Sequence, residues 1–244
     1  MSTPSTKQTA CAWLVHIYTA LGAPVGLFSI ILIEQGHYHE ALWLMALALF
    51  LDGTDGTLAR AARVKEVIPW FDGARMDDIV DYLNYVFVPC YFMLAADMLP
   101  GTWALWIVAL PLLASVYGFS QTAAKTADHF FLGFPSYWNV VVFYFYLLGS
   151  PGWFNGWVTG IFSIMVFLPI RYLYPSRSPV LRRLCLSLAI LWAIICLVIL
   201  FLLPNPPAVL VWISLAYPAS YFLMSFWLHW KGEGVRPSGP GVRD

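Results

Sequence analysis

From Asp52 to Arg60 the chain reads D-G-T-D-G-T-L-A-R, and from Gly73 to Asp81 it reads G-A-R-M-D-D-I-V-D, with Ala61 to Asp72 between them. In a helix, Asp52 and Asp55 stand three apart on one face, and Gly56 and Ala59 continue that side. Asp77 and Asp81, four apart, share a face of the next helix in the same way. Four carboxylates meeting at the end of a helix pair make a hard-oxygen site, suited to Mg²⁺ or Mn²⁺ and unsuited to zinc. Gly56 and Ala59 put no bulk beside them, so a flat base or a phosphate could approach the backbone there.

The surroundings are apolar. The 244 residues are 60% hydrophobic and 11% charged, with a mean hydropathy of +0.72, too little polar surface for a water-soluble globule. Apolar runs recur along the chain and predict an all-α polytopic membrane protein with about eight spans. They cover approximately Ala10–Ile33, Ala41–Leu51 (continuing into the aspartate stretch), Gly73–Ala96, Trp103–Ser120, Tyr137–Leu148, Trp157–Leu173, Leu184–Leu203 and Ala208–Trp230. Gly22 and Gly26 form a small-xxx-small step for close helix approach, Gly149 to Gly156 reads as a turn, and the tail beyond Trp230 as disordered. The first span follows no basic n-region and reads as retained, not as a signal peptide. Cys11, Cys90, Cys185 and Cys196 form no C-x-x-C pair and read as buried thiols. The five histidines show no ligand spacing beside the aspartates, and the zero net charge points to no nucleic-acid partner.

Charge sets the orientation. With eight alternating spans, all thirteen Lys and Arg residues fall on one side, while Glu34, Glu40 and Asp97 mark the other. The positive-inside rule makes the basic side cytoplasmic, with both termini and the aspartates there. Carboxylates at membrane depth cost roughly 2.5–3.5 kcal/mol each on insertion scales, so four in register need a function. Glu66, Asp72 and Asp78 instead read as solvated charges paired with nearby Arg and Lys.

The pattern D-x-x-D-G-x-x-A-R…G-x-x-x-D-x-x-x-D, here Asp52, Asp55, Gly56, Ala59, Arg60, Gly73, Asp77 and Asp81, resembles the signature of the CDP-alcohol phosphatidyltransferases. The spacer is longer than in most members and resembles that of the bacterial phosphatidylcholine synthases. The span count and the G-F-P-S-Y-W-N stretch of Gly133 to Asn139 point the same way. The resemblance implies a single integral membrane domain over residues 1–244. Its catalytic six-span core covers 1–173, and 174–244 adds two helices and a tail. It implies attack of choline on CDP-diacylglycerol in a bacterial inner membrane, with CMP released, two Mn²⁺ or Mg²⁺ ions, and a homodimer. Carried over residue by residue, Asp52, Asp55 and Asp77 hold metal, and Asp81 is the general base that also reaches the second ion. Gly56, Ala59 and Gly73 line the cytidine pocket, and Arg60 contacts phosphate or ribose.

Choline's cation has no hydrogen to donate, so aromatic faces must recognise it. Tyr137 and Trp138, after Pro135 at the cytoplasmic start of a span, and Tyr82, Asn84 and Tyr85, within a turn of Asp81, are candidates. Asn139 would orient the hydroxyl or pair with a neighbouring helix. Lys125 either contacts a phosphate of CDP-diacylglycerol or pairs with Asp128. The rival acceptors serine, inositol phosphate and glycerol phosphate fit less well, since anionic alcohols need extra basic residues and these are few. A transporter would carry its carboxylates near mid-membrane on broken helices. An inactive scaffold would be expected to have lost one aspartate, and none is lost.

Overall fold

A computed structural model describes residues 4–121, 130–173 and 182–231. The chain is a polytopic helical membrane protein. The elements in order are α1 (Thr6–Ala20), α2 (Gly22–Glu34), α3 (Tyr38–Ala61), α4 (Val64–Val67), α5 (Gly73–Tyr82), a π-helical turn (Leu83–Phe87), α6 (Val88–Ala95), α7 (Ala104–Ser120), β1 (Phe130–Leu132), α8 (Trp138–Leu148), α9 (Gly152–Phe167), β2 (Arg171–Leu173), α10 (Arg182–Phe201) and α11 (Ala208–Lys231). Among the described residues, α1–α2, α3, α5–α6, α7, α8, α9, α10 and α11 form eight successive helical segments, matching the expected number. Five segments are long and apolar enough to cross a bilayer: α1–α2, α3, α7 with its leading 3₁₀ turn, α10 and α11. The α5–α6 segment has the length but carries Arg75, Asp77, Asp78 and Asp81 in its first ten residues.

The first helix starts earlier than the expected Ala10. Ser5 caps α1 in a capping box with Gln8, so the helix starts at Thr6. Pro24 has no N–H for the carbonyl of Ala20, which breaks the first span into α1 and α2 at Leu21. Pro89 has a similar effect further on. It cannot donate to the carbonyl of Tyr85, and the helix ahead of it widens into the π turn, closed by the Val88 N–H on the Leu83 carbonyl. This wide turn buries Asn84, Tyr85 and Val86.

Glycines set the helix spacing. A Cβ on Gly22 would lie 2.4 Å from Val80 Cγ1, and one on Gly26 would lie 2.9 Å from Asn84 Oδ1. The expected small-xxx-small contact therefore joins α2 to α5 and the π turn. Asn84 fastens it, donating from Nδ2 to the carbonyls of Gly22 and Val80, both at 3.0 Å. The spacer between the aspartate pairs folds back: Val64 and Ile68 are buried against Ala12 and Val15 of α1, with Phe71 and Ala59 alongside.

The second half departs more from the sequence expectations. The sixth helix runs Gly152–Phe167, not Trp157–Leu173. Pro169 forces Leu168 into extended backbone and ends it early. The supposed turn at Gly149 to Gly156 is partly helix. Gly149 does turn the chain at φ +53, but Gly152 and Gly156 lie under neighbours, a Cβ on Gly152 falling 3.0 Å from the Leu99 carbonyl carbon. An unanticipated two-stranded antiparallel pairing joins Phe130–Leu132 to Arg171–Leu173. Gly133, at φ +83, turns the chain where a Cβ would meet the Val166 carbonyl oxygen at 2.2 Å. The helix α8 has 11 residues, about 16 Å of rise against a bilayer core of roughly 30 Å. Cys90 and Cys185 are buried and Cys196 half-buried, but Cys11 is exposed, because it sits on the outer face of α1. All four are free thiols.

If the α2–α5 contact fixes the helix spacing, Gly22→Leu should destabilise by about 2–3 kcal/mol through overpacking. Gly160→Ala, where a Cβ meets nothing within 4 Å, should be neutral or slightly stabilising. Thermal unfolding of the detergent-purified protein would measure both.

Candidate active site

The C-terminal half of α3 and the helix α5 converge on one cleft. Asp52 and Asp55 lie roughly 21–26 Å along α3 from its start. Asp72 caps α5, its carboxylate accepting from the Arg75 N–H at 3.0 Å, and this fixes the register of Asp77 and Asp81. One carboxylate oxygen from each of Asp52, Asp55 and Asp77 lies within 4.8 Å of the others. Asp81, one turn further along α5, lines the same cleft outside this tight group. Asp55 is buried, while Asp52, Asp77 and Asp81 are half-buried. Asp78 is also half-buried.

Neutral donors hold two of the carboxylates. Thr19 of α1 donates from Oγ1 to Asp55 Oδ2 at 2.8 Å in a buried contact. Tyr85 of the π turn donates its hydroxyl proton to Asp52 Oδ2 at 2.5 Å. Among the described residues lining the cleft, none is basic. The donors gathered there are all carboxylate oxygen. The set fits Mg²⁺ or Mn²⁺.

The remaining candidates divide. Gly56 leaves open space, a Cβ there meeting only Arg60 Nη1 at 3.4 Å. Ala59 packs against the spacer cluster. Arg60 is exposed, with Nη2 donating to Thr57 Oγ1 at 3.0 Å. Gly73 faces α1, a Cβ there falling 2.6 Å from His16 Cε1, so its smallness serves helix approach. Asn84 and Tyr85 line the cleft. The Tyr137 ring lies 6.3 Å from that of Tyr85. Tyr82 turns away, its hydroxyl donating to the Leu112 carbonyl at 3.0 Å and its ring set edge-on to Phe119. Trp138 is fully buried in the core, with Nε1 donating to Ser115 Oγ at 2.9 Å. Asn139 accepts from the Val140 N–H at 2.9 Å, a local contact at the start of α8. Lys125 lies outside the described residues. Sequence reasoning missed Thr19, since a lone threonine 36 positions from its carboxylate carries no local signal.

Comparison with known proteins agrees with this geometry. The profile of the CDP-alcohol phosphatidyltransferases matches residues 12–169. The phosphatidylcholine synthase of Legionella pneumophila is 43% identical, over 91% of this chain and 89% of its own length. That of Borreliella burgdorferi is 42% identical over 78% of this chain and 81% of its own. That of Pseudomonas aeruginosa is 36% identical over 79% and 80%. A match over 91% of the chain cannot fit within residues 12–169, so the likeness to the Legionella protein extends beyond the profile. With the profile covering well over half the chain and all four clustered carboxylates inside it, this protein belongs to the CDP-alcohol phosphatidyltransferase family.

Proposed function

We propose that the chain is a phosphatidylcholine synthase, condensing CDP-diacylglycerol with choline to give phosphatidylcholine and CMP. The observation that carries this is the cleft that gathers Asp52, Asp55, Asp77 and Asp81, with no basic side chain among the described residues lining it. The similarity to phosphatidylcholine synthases over most of the chain supports the choice of alcohol.

Asp52, Asp55 and Asp77 would hold Mn²⁺ or Mg²⁺, with Asp81 reaching a second ion. Bound there, such ions would supply charge neutralisation for the pyrophosphate and the departing CMP. Asp81 accepts the choline hydroxyl proton as that oxygen bonds to the phosphorus bearing diacylglycerol, and the bond to the CMP oxygen breaks. Thr19 and Tyr85 keep the Asp55 and Asp52 carboxylates aimed into the cleft. The open backbone at Gly56 receives the cytidine end of the donor. Arg60 and Lys125 serve the phosphates. Tyr85, Asn84 and Tyr137 flank the alcohol.

We take residues 1–173 as the catalytic core and 174–244 as an added helix pair and tail, a division supported by the extent of the family match. The crowding of Lys and Arg on the aspartate side supports a cleft opening to the cytoplasm from the inner membrane. The family resemblance supports a homodimer.

Purified protein should release CMP from CDP-diacylglycerol with choline and little with serine or glycerol phosphate. Turnover with serine and none with choline would overturn the assignment. Asp81→Asn should lower kcat by at least about 100-fold while the protein stays folded and inserted, the scale of a lost general base. Near-normal turnover would remove Asp81 from the chemistry. Thr19→Val should weaken Mn²⁺ binding about tenfold, the effect of losing an outer-shell partner, followed by electron paramagnetic resonance titration.

A further inference from the structure

The family profile ends at residue 169, yet α11 reaches back to the site. Phe222 of α11 inserts into the six-span core, stacking on Phe162 at 5.4 Å and Phe134 at 6.1 Å. Its neighbour Tyr221 is thereby held with its ring 6.5 Å from Tyr137, the planes inclined at 63°. Tyr137 stands at 56° to Tyr85, 6.3 Å away, and Tyr85 is bonded to Asp52. A file of aromatic rings therefore runs from the carboxylates to the last helix. Behind it, Tyr172 stacks on Tyr221 at 6.3 Å and is fully buried. The Tyr172 hydroxyl has no hydrogen-bond partner among the described residues.

We propose that Tyr221, with Tyr137 and Tyr85, forms the corner that recognises the quaternary ammonium of the acceptor alcohol, making α11 a specificity element of the reaction. This rests on the synthase reading above. Cations bind within about 6 Å of a ring centroid. Two inclined faces with centroids 6.3–6.5 Å apart let one cation lie near both. The Tyr85 hydroxyl donates a hydrogen bond to the Asp52 carboxylate, which enriches its ring in electrons and strengthens its pull on a cation. In choline only two carbons separate the nitrogen from the hydroxyl oxygen. A cation held beside Tyr85 therefore keeps its hydroxyl near the carboxylates to which Tyr85 is bonded. Serine and glycerol phosphate, which bring a carboxylate or phosphate, would meet electron-rich faces in this corner. The likeness to the Legionella phosphatidylcholine synthase, which runs on past the profile, accords with a choline-linked role for the added helices.

The test uses the full-length protein in lipid nanodiscs, with KM measured separately for choline and for CDP-diacylglycerol. Tyr221→Leu should raise the choline KM about tenfold and leave that of CDP-diacylglycerol within about twofold. Phenylalanine and its mono- and trifluorinated forms at position 221 keep the shape while weakening the ring face. Choline KM should climb stepwise with fluorine number. A flat series, or a parallel rise in both KM values, overturns the proposal. The fluorinated series also decides the matter if the leucine variant does not fold. Wild-type turnover with choline is measured first: its absence rejects the synthase reading and this proposal together. An active wild type with a flat series rejects only the role of Tyr221.

Discussion

Everything in this protein depends on keeping like charges together. Three carboxylates with oxygens within 4.8 Å repel one another by roughly 3–4 kcal/mol per ionised pair at an effective dielectric of about 20. Left to themselves, α3 and α5 would splay. The restraint comes from uncharged contacts around the cleft. Gly22 lets α2 press on Val80, and Gly73 lets α5 press on His16. Thr19 and Tyr85 then tether Asp55 and Asp52 by hydrogen bonds from neutral donors. An arginine in either place would quench the charge and with it the affinity for a divalent cation. Neutral hydroxyls orient the carboxylates without competing for them.

The π turn is where the helix serves the site at the expense of its own regularity. Without Pro89 the segment from Gly73 to Ala95 could run as a continuous α-helix, and residues past Tyr82 would rotate by a fraction of a turn. As built, the wide turn buries Asn84 and Tyr85 at the cleft. One fastens α2 and the other reaches Asp52. A single proline therefore links the packing of three helices to the aim of one carboxylate.

Much of this was legible from residue spacing. The i, i+3 and i, i+4 aspartates define two helix faces directly, and Gly22 and Gly26 announce a close helix approach. The partners of those faces were not legible. Thr19 and Asp55 are neighbours only after α1 and α3 pack, and nothing local to either predicts it. Gly152 and Gly156 resemble turn residues in sequence but lie inside α9, where neighbouring chain approaches too closely for a side chain. Trp138 shows the opposite error. Its place after Pro135 suggested a ligand-facing ring, but its indole N–H is committed to Ser115 in the core. Spacing reports which face a residue shares, not what packs against that face.

The short helices α8 and α9 explain why the core needs covering. Both are shorter than a bilayer-spanning helix, and extended backbone at Phe130–Leu132 precedes α8 and at Arg171–Leu173 follows α9. Backbone N–H and C=O groups away from water must find partners inside the protein. Here Gly133 donates to the Ile170 carbonyl, Phe134 to the Met165 carbonyl, and β1 pairs with β2. Such irregular backbone is tolerable in a membrane only when protein lies over it. The helix α11 provides that cover through Phe222 on Phe134 and through His229, whose Nδ1 accepts from the Arg171 N–H. The added helix is thus part of what lets the irregular backbone persist, because its side chains and the core's backbone groups are packed and bonded together.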